Sequence, residues 1–150
     1  MSELSDLYQE VILDHNRRPR NFHALEDASH TADGHNPLCG DRLRVYLKVE
    51  DGIVSDVSFE GGGCAISKAS ASMMTDALKG KTLDEANTFF DQFHDMVTTP
   101  ANVEVKSEAL GKMAVLAGVR EYPMRVKCAS LAWHTLKAAM QAENHVVSTE

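Results

Sequence analysis

The sequence predicts an α+β fold in which a small antiparallel three-stranded sheet carries about five helices. Three observations predict it. Apolar residues recur at helical spacing near the N-terminus and again through most of the second half. Between these regions, two alternating runs flank Asp51-Gly52, the pattern of a hairpin. The chain has 150 residues, 43% of them apolar, which suits one domain over 1–150 with a fraying tail at 143–150.

The elements follow in order. Leu4, Leu7, Tyr8, Val11 and Ile12 share one face of a helix over residues 5–15, and Pro19 stops it. Residues 20–28 read as a connection. A weaker strand is expected near residues 29–33, then a loop holding Gly34, Pro37 and Gly40. Leu43, Val45, Leu47 and Val49 alternate with Arg42, Arg44, Tyr46, Lys48 and Glu50, as in a half-buried strand. Ile53, Val57 and Phe59 mark the return strand, which Gly61-Gly62-Gly63 ends. Residues 66–78 form a helix closed by Gly80, with a small face of Ala65, Ala69, Ala71 and Ser72 toward the sheet. Thr82 and Glu85 make a capping box opening a helix that ends before Pro100. A shorter helix over 109–118 and a last one over 126–142 complete the order.

With 15 basic against 22 acidic residues, the net charge is −7. That argues against nucleic acid as a partner, since phosphate binding needs concentrated Lys and Arg. The cluster Arg17-Arg18-Pro19-Arg20 reads as a solvated surface or a protein-docking patch. No run approaches the roughly 20 apolar residues of a membrane helix. The acidic start, Met1 to Asp6, lacks the pattern of a signal peptide. A cytoplasmic protein without a membrane partner is expected. Three cysteines cannot all pair within one chain, and disulfides are rare in the cytosol. They are fillers, reactive thiols or metal ligands.

Three motifs hold them. In Asn36-Pro37-Leu38-Cys39-Gly40-Asp41, a thiol and a carboxylate flank a glycine that permits a tight turn. A loop cysteine beside a strand-capping aspartate explains this motif as well. In Gly61-Gly62-Gly63-Cys64, three bare residues precede a cysteine at a helix mouth, where the dipole and free N–H groups stabilise a thiolate. A flexible turn with a buried cysteine is the plainer account. In Arg125-Val126-Lys127-Cys128, the cysteine is expected in the first helical turn beside two cations. Taken together, three thiolates and one carboxylate make the four ligands that tetrahedral zinc prefers. The spacing is not that of a paired CxxC ribbon.

The chain resembles the IscU/SufU (NifU N-terminal-like) iron–sulfur cluster assembly family. The likeness runs over most of residues 5–140, through Leu7-Tyr8, Asp14-His15, Pro19-Arg20-Asn21 and the three cysteine motifs. It implies the α+β fold read above. Two features resemble the SufU branch in particular: Arg125 and Lys127 stand where the scaffold branch usually has Lys and His, and an extra helical stretch covers roughly residues 90–110. The resemblance implies a zinc-dependent sulfurtransferase that takes persulfide sulfur from a pyridoxal-phosphate (PLP) cysteine desulfurase of the SufS type and passes it to a downstream assembly scaffold. It implies Zn2+ on Cys39, Asp41, Cys64 and Cys128, with Cys39 as sulfur acceptor. Arg125, three residues before Cys128 and carrying a planar, permanently charged fork, is expected to engage the partner rather than the metal. The alternatives are a scaffold carrying a transient [2Fe-2S] cluster and a module with a structural zinc.

Of the seven histidines, His35 is close enough in sequence to Cys39 to be weighed as a ligand. His15 is expected to fix local structure. The others, with Trp133 and Met73-Met74, read as surface or packing residues.

Overall fold

The computed structural model describes residues 3–37, 40–104, 108–141 and 147–148. Helix α1, Glu3–Arg17, leads through a connection into strands β1 (His30–Asn36), β2 (Asp41–Glu50) and β3 (Ile53–Gly62). Helices α2 (Ala65–Leu78) and α3 (Leu83–Thr98) follow, then a 3-10 segment, Glu108–Glu121, helix α4 (Pro123–Met140) and the two-residue strand β4 (Val147–Ser148). The expected antiparallel meander forms in the order β3-β2-β1, and β4 adds itself parallel to the outer edge of β1.

Asp51 and Gly52 both take positive φ, 53° and 75°. This is the type I′ geometry whose twist matches paired strands. Alternation along β2 then places Leu43, Val45 and Leu47 on the core face, opposite Gly61, Phe59 and Val57 of β3. Asp41 shares that parity, so a carboxylate begins the strand on its buried side.

β1 runs further than expected, and Gly34 belongs to it rather than to a loop. Helix α4 is the reason. A Cβ on Gly34 would sit 2.0 Å from Thr135 Oγ1 and 3.1 Å from Leu131 Cδ1. Only bare backbone lets the helix lie this close to the strand. Cys128, Leu131 and Thr135 recur at helical spacing along α4. The stripe meets Asn36 and Gly34 on the core face of β1.

Helix α2 is buried nearly all round, and its hydroxyls tie it to its neighbours. Ser70 Oγ donates to the Ala129 carbonyl of α4 at 2.6 Å. Ser72, expected to face the sheet, instead meets His15 Nδ1 at 2.7 Å and accepts from Arg20 N–H at 2.8 Å. Part of the basic cluster is therefore structural, since Arg20 also holds Asp14 at 2.8 Å. The capping box forms as expected: Glu85 N–H donates to Thr82 Oγ1 at 3.0 Å, and Thr82 N–H to Glu85 Oε1 at 3.1 Å.

Two helices depart from expectation. The segment expected as a short helix is 3-10 and kinks at Gly111. Leu110, Met113, Leu116 and Val119 are all buried at a strict spacing of three, the period at which 3-10 side chains eclipse on one face. Helix α4 begins at Pro123, a residue favoured at the first helical position, and so three residues earlier than expected. Trp133, 1% exposed, stacks on Phe93 with ring centroids 4.6 Å apart, as a core residue should.

Candidate metal centre

Three elements meet at one place. β2 begins there with Asp41, α2 begins there with Cys64, and α4 passes with Cys128 in its second turn. The earlier start of α4 corrects the expected first-turn position. Cys128 lies on the buried stripe, 2% exposed, and the free N–H groups of the helix start are not its support.

Cys64 is the N-cap of α2, with extended backbone at φ −74°, ψ 162°, and its sulfur accepts the Ser67 N–H at 3.4 Å. A thiol therefore fills the position usually given to Ser, Thr, Asp or Asn. Asp41 assists from outside the helix. Its Oδ1 accepts the Cys64 N–H at 2.7 Å, and its Oδ2 lies 3.8 Å from Cys64 Sγ. The last of the three glycines makes this possible: a Cβ on Gly63 would sit 1.9 Å from Asp41 Oδ1, and its φ of +148° disfavours any side chain. Gly61 is bare because Arg42 O would lie 2.0 Å from its Cβ.

Asp41 is completely buried. Among the described residues, no Lys or Arg pairs with it. A buried carboxylate with one backbone donor is costly unless a cation meets it. One ligand atom each from Asp41, Cys64 and Cys128 lies within 4.8 Å of the other two, so these residues form a set able to hold a metal ion. Two sulfurs and a carboxylate oxygen suit a borderline-soft ion such as zinc, or thiolate-bound iron. On both counts the residues fit the group.

Cys39 lies outside the described residues. The residues flanking its loop are paired across the strand ends, Asn36 with Asp41. Asn36 is completely buried, and its side-chain amide donates to Cys128 Sγ at 3.8 Å. The sequence reading missed this residue. Its signal was parity: Ala32, Gly34 and Asn36 share the buried face of β1.

His35 points to the opposite face of β1 and is not among the converging donors. It lines a hollow with Arg42 and Arg44, next to the Arg44–Asp33 ion pair.

Arg125 is exposed and sits over the Tyr122 ring, 4.5 Å from its centroid. With Tyr8, Leu13 and Met124 it borders a cleft of about 600 Å³ that Cys64 and Cys128 also line. Leu13 and Met124 are 48% and 47% exposed. Burial raises the Tyr8 hydroxyl above its ordinary range, against the pull of the Arg125 guanidinium.

The sequence profile described as "NifU-like N terminal domain" matches residues 7–129. The chain is 44% identical over 142 residues to the protein named "Zinc-dependent sulfurtransferase SufU" of Bacillus subtilis, covering 95% of each. It is 41% identical to the "Iron-sulfur cluster assembly scaffold protein IscU" of Streptococcus pyogenes, covering 94% of this chain and 87% of that one. The crystal structure of a putative SUF-system scaffold protein from Fervidobacterium islandicum superposes with a TM-score of 0.81 at 35% identity, covering 90% of this chain and 97% of that one.

Proposed function

The chain belongs to the NifU-like N-terminal domain family, and from that premise we propose that it is a zinc-dependent sulfurtransferase serving iron–sulfur cluster assembly. Its donor is a PLP-dependent cysteine desulfurase of the SufS type, and a downstream assembly scaffold receives the sulfur. The observation that carries the reading is the buried Asp41 carboxylate converging with the Cys64 and Cys128 sulfurs.

Zinc would be held by Cys39, Asp41, Cys64 and Cys128, and when bound it keeps thiols ionised at neutral pH. Cys64 and Cys128 are built into helices and serve as anchors. Cys39 is the acceptor, because its position between β1 and β2 lies outside any helix, whereas Cys64 and Cys128 are held at helices. Its thiolate attacks the terminal sulfur of the donor's persulfide. The donor S–S bond breaks, the donor cysteine leaves as thiolate, and Cys39 carries the persulfide. Arg125, at the rim of the cleft, engages a carboxylate or carbonyl of the partner through its planar fork.

Purified protein should hold one zinc per chain and raise the turnover of the desulfurase. Peptide mass spectrometry after incubation with desulfurase and cysteine should find the added sulfur on the Cys39 peptide. Arg125→Ala should keep the zinc and weaken the stimulation. Persulfide chiefly on Cys128, or zinc without stimulation, overturns the reading. The same donor set also suits iron, and the IscU relative is named a scaffold. A coloured [2Fe-2S] protein from anaerobic preparation would favour that second reading.

A further inference from the structure

We propose that Asn36 is a positioning residue for Cys128: its side-chain amide quiets that thiolate. The inference rests on the metal reading above, in which Cys128 is a ligand.

The geometry comes from both ends of one loop. Asn36 ends β1 and Asp41 begins β2, paired across the strands. Each reaches a different helix-borne cysteine: Asn36 donates to Cys128 Sγ at 3.8 Å, and Asp41 accepts the Cys64 N–H at 2.7 Å. The loop base is thereby tied to α4 and α2.

The chemistry concerns the sulfur lone pairs. An N–H directed at a thiolate draws electron density toward the donor, so that sulfur attacks an electrophile more slowly. Cys64 has such a donor in the Ser67 N–H at 3.4 Å, and Cys128 has Asn36. Both fixed sulfurs are thus quieted by neutral donors. A neutral amide does this at any pH and, unlike a lysine, adds no charge that would draw a persulfide to the wrong cysteine. Ligand-supporting contacts of this kind orient metal sites generally.

The test uses the zinc-loaded full chain. Asn36→Asp keeps the shape and replaces the donor by an acceptor. Iodoacetamide should then modify Cys128 about fivefold faster than in the natural protein. In the cobalt-substituted variant, the sulfur-to-cobalt charge-transfer band should move to lower energy while the tetrahedral d–d bands stay. An unchanged rate with an unchanged band would make Asn36 a packing residue and overturn the proposal. Should the variant fail to fold or load, cadmium-113 in the natural protein answers directly. A scalar coupling between the metal and the Asn36 amide protons is expected through N–H···S. Bound cadmium with no coupling overturns the role of Asn36 alone, whereas natural protein that takes up no metal removes the metal reading and this proposal with it.

Discussion

Two helix starts in this molecule solve the same problem in opposite ways. Helix α3 opens with Thr82 and Glu85, which satisfy each other's backbone groups within four consecutive residues. Helix α2 opens with Cys64, whose sulfur accepts the Ser67 N–H, while Cys64's own N–H is met by a carboxylate 23 residues earlier in the chain. The first start is local and serves only stability. The second uses weaker groups, buries a carboxylate and depends on a glycine that no other residue can replace. That is the pattern of a start built for chemistry, with the helix as its scaffold.

The largest break in this comparison should come from the metal. At free zinc a thousandfold above its dissociation constant, binding contributes about 4 kcal/mol, and chelation should remove it. Denaturant unfolding with and without chelator reads the loss. Hydrogen exchange should speed up in the first turn of α2 and not in that of α3.

Next comes Gly63→Ala, which drives a methyl into the Asp41 carboxylate on backbone that disfavours side chains. It should cost about 3 kcal/mol in the metal-free protein and abolish zinc binding. Gly52→Ala is its control: φ is also positive, but the space is open, so the cost should be about 1 kcal/mol with zinc retained.

Thr82→Ala sharpens the other side. It should lower stability by about 1 kcal/mol, measured by urea unfolding, with zinc affinity unchanged. A change in metal binding would show that the two starts are coupled.

The smallest effect is that of pH on the far side of α2. Burial, aided by the Arg20 charge, holds His15 below the ordinary imidazole range. The unfolded chain therefore takes up a proton near pH 6.5 that the folded chain refuses until lower pH. Stability from this group is complete above about 6.5 and declines as pH falls toward the folded value. His134 behaves in the same sense, through burial and then the neighbouring charges of His94 and Lys137. Unfolding of metal-free His15→Gln between pH 7.5 and 5.5 should show a shallower loss than the natural protein.

What was legible in the sequence divides along the same line. α1, the Asp51-Gly52 hairpin, α2 and the capping box were readable because their determinants lie within a few residues of one another. The three cysteine motifs were readable as residue types, and the resemblance joined them. What escaped was set by contacts between distant segments. Gly34 reads as a loop residue until α4 is laid against it. Cys128 reads as a helix-start thiol until Pro123 begins the helix and turns the cysteine toward β1. Asn36 and Cys128 meet across 92 positions, a pairing that no local pattern announces.

The short strand β4 carries a consequence for association. Val147 and Ser148 pair with Gly34 and His35, covering that stretch of the outer edge of β1. On the opposite margin, Val54 N–H donates to Lys81 O, Phe59 N–H to Asn21 O, and Val57 N–H is taken by the neighbouring Asp56 side chain. Unpaired strand margins are templates on which other chains add strands, in amyloid as in peptide capture. Here these stretches of both margins are occupied by the chain itself. A partner that presents an extended segment finds no free ladder there and must be recognised by side chains. Shortening the chain at its C-terminus would reopen one margin, and self-association would be the first symptom.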